Sequence, residues 1–122
     1  MKLTADINEV NEILANYKGG QCHIAYFSQG FTRLAILVQI SGQDEVVFLT
    51  GVNCSFIQGP FHFPCNSLVI EKDPSSGITS IYEKSSGFLL KAGGGIALVK
   101  GRIEQFGESL DDFITDKSEL PD

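Results

Sequence analysis

The chain has no tryptophan, only three cysteines, and no apolar run approaching the length needed to cross a bilayer as a helix. The opening residues, Met1-Lys2-Leu3-Thr4-Ala5-Asp6, lack the apolar block of a secretory signal. An odd cysteine count without repeating spacing argues against a disulfide framework and suits a reducing compartment, so the cytoplasm is the expected location. There is no CxxC pair, no GxGxxG and no P-loop ending in Gly-Lys-Ser/Thr, which removes the common zinc-ribbon and nucleotide-binding signatures. A basic stripe is missing too. Phosphate neutralisation dominates nucleic-acid affinity and polybasic segments hold membrane surfaces, so neither partner is expected.

The formal net charge of −6 is unevenly placed. Residues 1–103 hold equal numbers of acidic and basic side chains. The excess lies in Glu104, Glu108, Asp111, Asp112, Asp116, Glu119 and Asp122, set against Lys117 alone. At 122 residues the chain reads as a single domain, 1–122, able to bury a core without staples.

Three apolar runs organise the rest: 22–28, 34–40 and 45–50, separated by the polar breaks Ser28-Gln29-Gly30 and Ser41-Gly42-Gln43-Asp44. They read as consecutive strands. The middle one is apolar on both faces, which marks a central strand and implies that both sheet faces are covered. Before them, residues 5–18 form an amphipathic helix: Asp6 caps it, Ile7, Val10, Ile13, Leu14 and Tyr17 share a face, and Gly19-Gly20 stops it. A short strand is expected at 53–58. Pro60 and Pro64 argue against a central strand through 59–66, which reads as an ordered connection pinned by Phe61 and Phe63. Strands resume around Leu68–Glu71, Ile78–Glu83 and Phe88–Lys91, joined by Pro-Ser-Ser-Gly and Ser-Ser-Gly turns. Ile96–Val99 fits a strand or a short helix equally well. Ser109 with Asp112 caps a short acidic helix whose apolar face is Leu110, Phe113 and Ile114, with Phe106 one turn earlier.

The predicted fold is therefore α+β: an N-terminal helix on a mostly antiparallel sheet of about six or seven strands, closed by an acidic C-terminal helix. A small, partly closed β-barrel with helices at its end is the alternative.

The candidate chemistry is sparse. Cys54, His62 and Cys65 are borderline-soft ligands on the least regular stretch, with Cys22-His23 further upstream. Zinc would take four such groups as thiolate and imidazole, though adjacent Cys22 and His23 point to opposite strand faces. The competing reading is buried thiols that behave as small hydrophobes, with no cofactor. A cysteine nucleophile activated by His62 lacks any surrounding signature. Gly93-Gly94-Gly95 offers a backbone nest for an anion, or simply a hairpin turn. The carboxylates Asp44, Glu45, Glu71, Asp73 and Glu83 show no pairing that marks acid–base work. Phe56, Phe61 and Phe63, bounded by prolines, make either a hydrophobic docking patch or a plug for the core. Together with Asp111, Asp112 and Asp116, which suit a basic surface, they favour a non-enzymatic protein that binds a protein partner or a second copy of itself as a homodimer. A small-molecule or metal-binding protein centred on residues 54–65 is the runner-up.

Overall fold

The computed structural model describes residues 2–28 and 32–102. The expected C-terminal helix, with Asp111, Asp112 and Asp116, lies outside the described residues.

In chain order the elements are β1 (Lys2–Thr4), α1 (Ile7–Ala15), β2 (Gly20–Ser28), β3 (Arg33–Gln39), β4 (Glu45–Gly51) and β5 (Cys54–Gln58). They continue with β6 (His62–Cys65), β7 (Leu68–Lys72), β8 (Thr79–Glu83), β9 (Phe88–Ala92) and β10 (Ile96–Arg102). The helix starts where its cap predicts: the Asp6 carboxylate accepts from the amides of Asn8 at 2.9 Å and Glu9 at 3.3 Å. Gly19, at φ 94°, takes the left-handed conformation just beyond it and donates its amide to the Cys65 carbonyl.

The strands do not form one sheet, nor do they close a barrel. They form a six-stranded antiparallel sheet ordered β1-β10-β4-β3-β2-β6 and a four-stranded one ordered β5-β9-β8-β7. The N-terminal helix is present but shorter than the expected 5–18, and the described residues form ten strands in two sheets where about six or seven in one sheet are expected. After β4 the chain leaves the large sheet for β5, returns for β6, leaves again for the β7–β9 meander and returns as β10. Each strand is too short to reveal from its own residues which sheet it joins.

Both central strands of the large sheet are buried on two faces, as their sequences predict. One face carries Leu34, Ile36, Val38, Val47, Leu49 and Leu98. It shares a core with Ile70, Ile81, Phe88 and Leu90 of the small sheet and with Val10, Ile13 and Leu14 of α1. The opposite face carries a separate cluster of Ala35, Leu37, Val46, Phe48 and Val99.

Two crossings between the sheets are bonded to each other. The amides of Gly93 and Gly94 donate to the carbonyls of Asn53 and Val52 at 3.0 and 2.8 Å, and the Val52 amide donates to Gly95 at 3.0 Å. A Cβ on Gly94 would stand 3.0 Å from the Val52 carbonyl oxygen, so the close approach depends on its bare backbone. Another crossing, β6 to β7, is held by a buried carboxylate. Glu83 accepts from the Ser67 amide and hydroxyl at 3.0 and 3.1 Å, from the Ser85 hydroxyl at 2.7 Å and from the Ser86 amide at 2.9 Å. Burial alone would push this carboxyl up. The hydrogen bonds from Ser85, Ser86 and Ser67 outweigh it and hold the group at about 2.

Candidate functional site

Where a two-layer fold leaves its sheets unsealed, the candidate site is a cleft or an edge, and both occur together at β5. Its five residues, Cys-Ser-Phe-Ile-Gln, form the outer strand of the small sheet, paired among the described residues with β9 alone. Ser55 to Gln58 are all exposed. At its start the Cys54 amide donates to the Thr32 carbonyl at 2.8 Å, which ties β5 to the entry of β3. Between the sheets at this end opens a cleft of about 210 Å³, walled by Leu34 and Leu90 and rimmed by Phe27, Phe56 and Ile57. Those three rim residues are 51%, 45% and 44% exposed, an unusual concentration of open apolar surface. Lys91 sits over the Phe56 ring, 5.9 Å from its centre.

The four edge strands differ in how they are protected. β1 is three residues long and carries Lys2; β6 carries Pro64; β7 ends in Glu71-Lys72. β7 is further sealed by α1, because the Asn11 side chain donates to the Ile70 carbonyl and accepts from its amide. Charge, proline and a covering helix are the ordinary devices that keep sheet edges from pairing. Among the described residues β5 has none of these three; its pairing with β9 is interrupted only by a register shift between Cys54 and Phe56.

The aromatic residues expected to act together divide. Phe56 is on the rim, and Phe61 is 76% exposed, with its carbonyl accepting from the Ile24 amide at 2.9 Å. Phe63 is core, 2% exposed and stacked on Phe88 with ring centres 4.5 Å apart. The reason is strand parity: in the short edge strand β6, Phe63 and Cys65 point inward and His62 and Pro64 outward. The sequence reading of 59–66 as a connection overlooked that strand, whose Pro64 is tolerated because β6 lies at an edge. Phe27 and Ile57 were missed as site residues. Both look like ordinary strand hydrophobics, and only the splaying of the sheets exposes them.

Cys54, His62 and Cys65 are likewise set apart. His62 lies on the outer face opposite His23, ring centres 6.1 Å apart. Cys65 is buried on the inner face, where its hydrogen bond with Cys22, together with burial, pushes the Cys22 thiol up. Cys54 belongs to the other sheet; its thiol donates to the Gly51 carbonyl at 3.4 Å, and burial raises it. Among the described residues no three His, Cys, Asp or Glu side chains gather as metal ligands. The Gly93 and Gly94 amides are committed to the carbonyls of the neighbouring crossing. Among the described residues no helix is long and apolar enough to cross a membrane.

Comparisons with protein-family models, with curated proteins and with solved structures find no match.

Proposed function

We propose that this protein works by binding rather than catalysis, and that it associates with a second copy of itself through β5. The observation that carries this reading is the unprotected edge. An open strand presents unpaired N–H and C=O groups that a further strand completes. β5 bears no charge, so two copies of it approach antiparallel without like-charge opposition. Such a pairing is isologous, the commonest arrangement in homo-oligomers. It joins the two small sheets into one continuous sheet. A stable interface needs about 1,000 Å² in total. Strand pairing alone falls short of that, and the exposed side chains of Phe27, Phe56 and Ile57 around the cleft supply the remainder. The three free thiols suit a reducing compartment, consistent with action in the cytoplasm.

The test is sedimentation velocity over a wide concentration range. The expected species has twice the 13.3 kDa chain mass. Phe56→Lys and Ile57→Lys, both at exposed positions, weaken the dimer at least tenfold with an unchanged melting temperature. A chain that stays monomeric at the highest concentrations, or a dimer that both variants leave intact, overturns the reading.

A further inference from the structure

The chain contains two histidines, and the register of β2 with β6 sets them directly opposite each other. Their ring centres are 6.1 Å apart, with the rings tilted by 48°. His62 is exposed and His23 half-buried. Both face away from the core that takes Cys22, Phe63 and Cys65.

Strand geometry explains the approach. The Ile24 amide donates to the Phe61 carbonyl at 2.9 Å, so Ile24 and Phe61 form a hydrogen-bonded pair. Such pairs alternate along an antiparallel ladder, which makes His23–His62 a non-hydrogen-bonded pair. In pairs of that kind the Cα atoms stand about 4.5 Å apart and the side chains are closest. By the same parity Pro64 lies opposite Gln21 in the next non-hydrogen-bonded pair, where the ladder asks for no amide.

We propose that His23 and His62 form a two-imidazole site for a divalent transition-metal ion of the zinc and copper class. Imidazole nitrogen suits zinc, copper and nickel, whereas magnesium and calcium take oxygen donors. A metal–nitrogen bond of about 2.0–2.1 Å places an ion roughly 3.2 Å from each ring centre, so two rings sharing it at a tetrahedral angle have centres about 5.2 Å apart. Rotation of the exposed His62 ring closes the observed 6.1 Å to that separation. Among the described residues no third His, Cys, Asp or Glu joins the pair, so the ion keeps open positions for water. Bound there, it clips β6, the outermost strand of the large sheet, to β2. The site belongs to the other sheet from β5 and is independent of self-association through that edge.

The test is zinc titration of the full-length chain, followed by nuclear magnetic resonance of the imidazole ring protons. With two histidines in the chain, every such signal belongs to one of the pair. The expected result is that both rings shift together and saturate at one ion per chain, while magnesium moves neither. His62→Gln, at an exposed position, is expected to weaken zinc binding at least tenfold by calorimetry, whereas Cys54→Ser leaves it unchanged. Movement of one ring alone, the same response to magnesium, or undiminished binding in His62→Gln overturns the proposal. Saturation at half an ion per chain, with a doubled mass, assigns the ion to two copies and overturns it as well.

Discussion

Asn11 stands in for a missing strand beside Ile70. Its amide nitrogen donates to the Ile70 carbonyl at 2.9 Å and its amide oxygen accepts from the Ile70 N–H at 3.0 Å, across fifty-nine residues of sequence. A helix side chain thereby satisfies both backbone groups of an edge strand, and β7 is closed to further pairing.

Replacing Asn11 by alanine returns both Ile70 groups to a partly buried site without partners. The expected cost is about 1–3 kcal/mol in urea unfolding, the range for buried polar groups left unpaired. Asn11→Asp keeps the bond from the Ile70 N–H but sets a carboxylate against the carbonyl, so it regains little of that loss. Equal stability of Asn11→Ala and the natural chain would show that water replaces the amide at no cost.

Glu83 gives the protein a specific acid limb. Its folded-state value near 2 lies below the ordinary 4.5, so its contribution to stability is present in full above about 4.5. That contribution falls as pH drops towards 2. Urea midpoints measured from pH 7 to pH 2.5 should therefore decline for the natural chain. Glu83→Gln should begin lower at pH 7, having weakened its bonds to Ser67 and Ser86, and should lose less across the same range. Parallel pH profiles for the two proteins would remove Glu83 as the source.

The three thiols should react in two classes. Cys22 and Cys65 are 0% and 1% exposed, whereas Cys54 is only partly covered. A thiol reagent is expected to label Cys54 slowly in the folded protein and to reach the other two only on unfolding, because reaction needs access to the sulfur and both are sealed in the core. Prompt labelling of Cys22 or Cys65 under native conditions would mean that the β2–β6 edge opens locally.

Much of the architecture is legible in the residues themselves. Asp6 starts the helix because capping is a local matter, whereas its end at Ala15, capped by Asn16, comes four residues before the expected stop at Gly19-Gly20. The two-faced apolar run at 34–38 marks β3 as central because a residue's burial follows strand parity. The same parity would have separated His62 from Cys65 had residues 62–65 been read as a strand.

What tertiary structure alone decided is which partner each strand found. The division into two sheets, the burial of Glu83 under the β6–β7 crossing and the exposure of Phe27 beside Phe56 and Ile57 all arise from pairings between distant segments. A strand's own five residues state that it will pair and which face is apolar. They do not state which edge remains open, because an edge is left by the strands that do not arrive. For this protein the local chemistry wrote the elements, and the long-range register left β5 at the outer edge of the small sheet.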